Sequence, residues 1–367
     1  MPWCPNSFTV ALPSFFVRIR NLLLSEPKFL AFAQRFPLTR PIARGRSRDL
    51  FNLLAGFSYS QVLYACVSLR VLQHVGLAGI TPAQLALKIG LTETKTDVLV
   101  GAAVALDILE WSKGNLVLGS QGAALLGQPW IMRFIEHHRY FYRDLEDPVA
   151  LLKGQSVPDG LRSYWPYEDE NADKRAYSEL MAASQEAVSQ QILGAYRFKN
   201  HKSLLDIGGG SGAFLRAVGQ ANPHLELHLF DLHGVVSLVN EKSKSPQLIL
   251  HSGDFRHDPL PQGMDVISMV RVVHDHDDEV ILALLRNIRK ICSTETTLLI
   301  AEPFAGNAAN AAVTDAYFNL YFTAMGQGRT RSPKDIAELA AKAGFGGPKI
   351  WSTNLPLITG LITLRAI

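Results

Sequence analysis

Leu204-Leu205-Asp206-Ile207-Gly208-Gly209-Gly210-Ser211-Gly212-Ala213-Phe214-Leu215 reads as an apolar strand, a glycine-rich turn and the start of a helix. Glycines in such a turn tolerate positive φ and leave bare backbone against which a ligand can lie. Outward from this stretch, leucine-rich or β-branched runs recur at 203–207, 225–230, 248–251, 265–270 and 297–301, with helical segments between them. That alternation predicts a parallel sheet covered on both faces, an α/β fold. Two more apolar runs, 349–353 and 357–367, meet near Leu355-Pro356 and predict an antiparallel addition to the sheet edge.

The spacing of Gly208, Gly210 and Ala213, with Asp231 after the second run, formally satisfies a dinucleotide fingerprint. Charge argues against that reading. Asp206 stands two residues before the turn, and a carboxylate there repels a pyrophosphate at low effective dielectric. It favours a cation instead, such as the ammonium and sulfonium of S-adenosylmethionine. Asp231 can accept both ribose hydroxyls. Asp254, in Gly253-Asp254-Phe255, can accept from an adenine amino group while Phe255 packs on the ring. Any one of these acids could simply cap a helix or turn. Three at the ends of three consecutive runs fit that explanation poorly.

Arg271-Val272-Val273-His274-Asp275-His276-Asp277-Asp278-Glu279 follows the fourth run, at the carboxyl edge where α/β sheets place their chemistry. His274, His276 and Asp278 have the H-x-H-x-D spacing of some metallohydrolases. No histidine follows His276, however, so further metal ligands are missing and no metal is expected. The alternative is a general base, since an imidazole titrating at about 6.5 can remove a hydroxyl proton. Such a base needs a carboxylate to fix its tautomer. Glu302, which closes the fifth run in Leu299-Ile300-Ala301-Glu302-Pro303, is the candidate.

The 367 residues suffice for about two domains. With 47% hydrophobic and 19% charged residues, neither disorder nor a fibrous chain is expected. Cys4, Cys66 and Cys292 show no paired spacing, which suits a reduced, cytoplasmic protein. Residues 1–50 carry eight Lys or Arg against Glu26 and Asp49; that is +6 of an overall +3, leaving −3 for the remainder. The cations alternate with Phe15, Phe16, Ile19 and Leu22, a pattern suited to a basic arm on a partner subunit or to an anionic membrane surface. The apolar stretch 8–17 lacks a preceding basic segment and contains Pro13, so it does not read as a signal peptide. Residues 50–69 are uncharged and long enough to span a bilayer, but Asn52, Ser58, Ser60 and Gln61 favour a buried interface helix.

Thr81-Pro82-Ala83-Gln84 predicts a helix start, a second helix should run from about 93 to 109, and 111–118 predicts a hairpin turning at Lys113-Gly114-Asn115. Helix, helix and hairpin make a winged-helix-like unit, so nucleic-acid binding has to be considered. The second helix offers Val98, Leu99, Val100 and Leu106 with a single lysine, Lys95. It suits burial against a second copy of the chain, not a phosphate backbone, and no nucleic-acid partner is expected. The expected division is a basic arm at 1–48, a helical dimerisation and substrate-lining domain at 49–195, and a catalytic domain at 196–367. The aromatics Trp130, Phe134, Tyr140, Phe141, Tyr142, Tyr164, Trp165, Tyr167 and Tyr177 are core residues or walls for a large apolar ligand.

The set DIGGGSG (206–212), FDL (230–232), GDF (253–255), RVVHDHDDE (271–279), AEP (301–303), GRTRS (328–332) and AGF (343–345) resembles the plant-type and bacterial S-adenosylmethionine-dependent O-methyltransferases. The similarity covers roughly residues 50–367. Within that family, 36–70 and 315–332 most resemble bacterial members that methylate carotenoids in phototrophs. The resemblance implies a class I methyltransferase (Rossmann-like) domain, an N-terminal winged-helix-like dimerisation domain and a homodimer. It also implies Asp206, Gly208, Gly210, Asp231, Leu232, Gly253, Asp254, Phe255 and Arg271 at the cofactor, and His274 as base beside Glu302. Three departures stand out. Gly328 replaces the glutamate that plant members place before the Arg-Thr pair, which puts a second carboxylate on His274 in doubt. Val270 replaces a lysine, leaving Arg271 as the nearby cation, and His276 replaces a tryptophan. The expected reaction is methyl transfer to the hydroxyl of a long apolar acceptor, a 1-hydroxycarotenoid. The rival readings are ring-carbon methylation of a bacteriochlorophyll precursor and a catalytically silent winged-helix regulator.

Overall fold

In a computed structural model the described residues are 14–155, 160–164, 174–237, 239, 248–306 and 312–367. Expectations placed on residues 8–13, Cys4, Trp165, Tyr167 and the side chains of Tyr164 and Tyr177 lie outside them. The chain forms two units, one ending at His138 and one beginning at Arg139.

The first unit begins with helices Ser14–Ser25 and Pro27–Arg35, followed by Arg40–Ser68 with its proline in the first turn. The last runs without a break across residue 48. The arm expected at 1–48 is therefore not a separate element, because nothing in the Arg-rich stretch interrupts helical hydrogen bonding. Thr81 and Gln84 cap helix Pro82–Ile89 reciprocally, as their spacing predicts. The next helix, Glu93–Ala105, ends four residues earlier than expected. Asp107 adopts a φ of 57°, turning the chain into strand β1 (Leu109–Ser112). β1 pairs antiparallel with β2 (Asn115–Leu118) through a two-residue turn in which Lys113 and Gly114 both have positive φ. Val67, Leu72, Leu85, Val100, Leu109 and Leu116 close a core of their own around this hairpin.

In the second unit the five predicted runs become parallel strands: β3 (Ser203–Ile207), β4 (Glu226–Asp231), β5 (Leu248–Ser252), β6 (Val266–Val270) and β7 (Thr297–Glu302). The terminal runs form β8 (Phe345–Trp351) and β9 (Gly360–Ala366), both antiparallel to their neighbours. The sheet order is β5-β4-β3-β6-β7-β9-β8. The chain builds outward from β3 to β5, then returns to β6 on the other side, so β3 and β6 flank the topological switch point where open α/β sheets bind ligands.

Alternate residues of each strand serve opposite faces. Leu205, Ile207, Ile267 and Ile300 pack against helices Asp278–Ile291 and Pro333–Lys342. Leu204, Leu229, Val266 and Leu299 pack with Phe214 and Val218 of helix Ala213–Ala221 and with Val188 and Ile192 of helix Lys174–Ala195. This last contact corrects the domain boundary expected at residue 195. Val188 and Ile192 are fully buried in the sheet's core, so their helix belongs with the sheet, and the division falls at His138 within helix Pro129–Asp144.

Phe214 is fully buried immediately after the glycine turn. Phe214→Ala should destabilise the sheet-containing unit by about 3–5 kcal/mol. Urea unfolding followed by circular dichroism should show a lower midpoint; an unchanged midpoint would mean that the turn is not anchored from below.

Candidate active site

Asp206 lies inside β3 and is almost completely buried. Ser268 Oγ of β6 donates to its Oδ1 at 2.6 Å, tying the two strands together across the switch point. Oδ2 has no hydrogen-bond partner. Burial pushes this carboxyl up to about 7; the Ser268 hydroxyl opposes the shift and the charge of Asp231 adds to it. The following turn holds Gly208, Gly210 and Gly212 at positive φ. Gly209 has no room for a side chain, since a Cβ would lie 2.3 Å from Leu229 and 2.6 Å from Asp206 Oδ2. Backbone thus closes directly over a buried acid.

Asp231 ends β4, and its carboxylate accepts from Gly210 N and Leu232 N, both at 2.7 Å. Burial raises its pKa in spite of these bonds. Gly253 and Asp254 follow β5. The Gly253 Cα approaches the Phe230 ring closely, and a Cβ would be only 2.8 Å from it. Both oxygens of Asp254 are engaged by Arg256, at 3.0 Å from Nε and 2.7 Å from Nη2, and the pair holds Asp254 below the usual carboxylate range. Phe255 packs partly on the core and meets His276 edge-on, with 5.3 Å between ring centroids.

Beyond β6 the backbone turns sharply. Arg271 has a φ of 60° and its guanidinium donates to Ser184 Oγ at 2.7 Å. Val273–Asp275 then forms one 3-10 turn that carries His274. Glu302, at the end of β7, accepts from Val272 N at 2.9 Å and Val273 N at 2.7 Å through Oε1, while its Oε2 is in ion-pair contact with His274 Nδ1. The histidine and the glutamate, paired on sequence grounds alone, do meet. On the other side, His274 Nε2 lies 3.1 Å from Asp275 Oδ1. The second carboxylate placed in doubt by Gly328 is therefore present, supplied by the adjacent residue. Gly328 itself has a φ of 81°, and a Cβ there would lie 2.2 Å from His274 O, so no side chain could stand at that position as the backbone runs.

Three further contributors escaped the sequence reading. Arg331, nearly fully buried, donates to Val273 O at 2.6 Å, His276 O at 2.8 Å and Asp278 Oδ1 at 2.6 Å, clamping the loop around His274. Arg329 adds a two-pronged pair to Asp278 and receives the loop through its N–H to His274 O. Phe322, on helix Phe318–Met325, covers the imidazole with its ring centroid 5.1 Å away. From it aromatic contacts continue through Tyr321 to Phe141, which also meets Tyr317. The Arg-Thr-Arg run was visible as a motif, but its target was not. Among the described residues, no cluster of three or more His, Cys, Asp or Glu is arranged to hold a metal.

This geometry defines the class of protein. Residues 142–346 match the O-methyltransferase domain family, and the chain belongs to that family, which draws its methyl group from S-adenosylmethionine. It is 40% identical over 356 residues to the demethylspheroidene O-methyltransferase of Rhodobacter capsulatus, covering 95% of this chain and 88% of that one. It is 38% identical to the enzyme of the same name from Cereibacter sphaeroides, covering 94% of each chain. The human N-acetylserotonin methyltransferase, solved in complex with SAM, superposes with a TM-score of 0.74 at 21% identity over 88% of this chain and 97% of that one. That likeness confirms the class I methyltransferase fold.

Burial is the largest single influence on His274 and lowers its pKa, but the charges of Glu302 and Asp275 together outweigh it and push the imidazole up to about 9. Protonation of the folded form is therefore favoured relative to an unfolded histidine. The stability this contributes is full below the unfolded pKa of about 6.5 and is lost as pH rises through the folded value. Nuclear magnetic resonance should follow the His274 ring titrating near that folded value. Glu302→Gln removes one of the two anions and should move the titration to lower pH; no movement would mean that the Glu302 contact does not govern the imidazole.

Proposed function

We propose that the chain methylates the hydroxyl of a hydroxylated carotenoid, with His274 removing the hydroxyl proton. The carotenoid assignment is supported by the names of the two bacterial relatives and by one observation in this chain: the aromatic path Phe322-Tyr321-Phe141 that leads away from His274. Buried in one apolar cluster beside the imidazole, these rings keep water from the reacting oxygen and suit an apolar acceptor. We also take the partner to be a second copy, because the exposed run Leu50, Phe51, Leu53, Leu54 and Phe57 carries no charge.

The donor set suits S-adenosylmethionine. The buried Asp206 oxygen without a hydrogen-bond partner, the bare backbone of Gly208–Gly210 and the carboxylate of Asp231 form an anionic hollow for a cationic nucleoside. In this reading Asp231 turns from Gly210 N to the ribose hydroxyls, with Leu232 N steadying it. Phe255 borders the adenine, and Arg256 yields Asp254 to the adenine amino group. Gly253 keeps that wall low, and Arg271 fixes the strand end. Bound there, the cofactor supplies a methyl group already activated by its sulfonium. The chain's task is to desolvate and aim the acceptor oxygen and to receive its proton. Glu302 fixes Nδ1, so Nε2 takes the proton, and Asp275 beside it stabilises the imidazolium that results.

Only the neutral imidazole can accept a proton. kcat/KM should therefore rise with pH until about 9 and then level off. His274→Ala should lower turnover by roughly 10²–10⁴-fold with cofactor affinity nearly unchanged. Incubation with labelled S-adenosylmethionine and a hydroxycarotenoid should yield a methyl ether. A methyl on carbon, or an active His274→Ala, would refute the reading.

Cofactor binding has its own pH signature. Asp206 ionises near neutrality, and its anion is the form that attracts a sulfonium. Calorimetry should show S-adenosylmethionine binding tightening as pH rises from 6 to 8, an effect of about one protonation. The neutral thioether product should show much less of this trend. Asp231→Ala should abolish most of the affinity, because at roughly 1.5–3 kcal/mol per charge-assisted bond it removes two bonds. Tight binding of a nicotinamide dinucleotide by the parent protein would overturn the charge argument.

A further inference from the structure

We propose that the N-terminal helices, residues 14–49, form a docking surface for anionic phospholipid headgroups. Helix Ser14–Ser25 buries no residue, and helix Pro27–Arg35 buries only Ala33. Phe15, Ile19 and Leu22 fall at i, i+4 and i+7 on one stripe, with Phe15 65% and Leu22 71% exposed. Ser14, Arg18, Asn21 and Ser25 occupy another stripe at the same spacing, so the helix is amphipathic, and its apolar side is left largely exposed among the described residues. Phe32, Phe36, Leu38 and Ile42 continue the exposed apolar surface, Leu38 at 78%.

Charge chooses the occupant. Residues 14–49 carry Arg18, Arg20, Lys28, Arg35, Arg40, Arg44, Arg46 and Arg48 against Glu26 and Asp49. Among the described residues, none of these eight cations enters an ion pair. A symmetric dimer interface apposes a patch to its own copy. Here that would set eight cations against eight, with two anions on each side to offset them. The uncharged surface that begins at Leu50 suits a second copy; the basic, aromatic surface before it does not. Exposed Phe and Leu beside Arg are the composition that enters a lipid headgroup layer, apolar side down and guanidinium groups on the phosphates. The attraction comes from this segment alone and is independent of which acceptor the enzyme methylates.

The test uses the full chain and vesicle flotation. Vesicles of phosphatidylcholine mixed with phosphatidylglycerol should carry the protein at low salt, and pure phosphatidylcholine should not. High salt should release it, because the Debye length contracts to about 3 Å at 1 M. At about fivefold per cation, Arg18→Gln/Arg20→Gln should weaken binding by about 25-fold. Phe15→Ser/Leu22→Ser should weaken it as well. Both variants should retain S-adenosylmethionine binding, which shows that they fold. Equal capture by neutral and anionic vesicles, or indifference to salt, would overturn the proposal without any variant. Should the substitutions instead convert a dimer to a monomer in sedimentation, with no vesicle binding by the parent, the face is an interface between copies and the lipid assignment is wrong.

Discussion

The grip of Glu302 on the turn after β6 is the constraint on which the reactive corner depends. One carboxylate does two things: Oε1 collects the N–H groups of Val272 and Val273, and Oε2 faces His274. Those N–H groups begin a 3-10 turn where no strand partner is available, and left buried and unpaired each would cost about 1–3 kcal/mol. The same bonds that relieve that cost set the position of the imidazole. Sheet register thus becomes side-chain geometry, because β7 ends where β6 begins to turn.

A second clamp acts from outside. Arg331 reaches two carbonyls of the loop and the Asp278 carboxylate, and Gly328 lets the backbone lie against His274 O. A buried guanidinium is tolerated only when its donors are satisfied, and the carbonyls left over by a tight turn are suitable acceptors. The loop's irregularity and the arginine's burial therefore solve each other's problem. This also explains why a glycine can stand at 328 without emptying the site of negative charge: Asp275 reaches the imidazole from the turn itself.

The sheet was legible because strands buried on both faces must be apolar almost throughout, and their spacing in the sequence survives folding. Glu302 could be paired with His274 for the same reason, since adjacent strand ends converge. What could not be read was anything decided by a turn. Asp275 is next to His274 in the chain, yet adjacency alone does not reveal that a 3-10 turn brings its carboxylate to Nε2. Arg256 sits two residues from Asp254, and that short spacing was a usable sign of the pair that now occupies the acid. The helix at 174–195 was assigned to the wrong unit because its polar composition hides the fully buried Val188 and Ile192.

The two ends of the switch point differ in electrostatic character, and the difference follows from what each end is asked to hold. Around β3 and β4, Asp206 is buried and Asp231 half-buried with no ion pair to a cation among the described residues, so both resist ionisation. Around β6 and β7, acids are buried against an imidazole, which is held protonated by their charge. The first arrangement is relieved by an incoming positive charge. The second is relieved by whatever restores a proton to the imidazole once it has lost it.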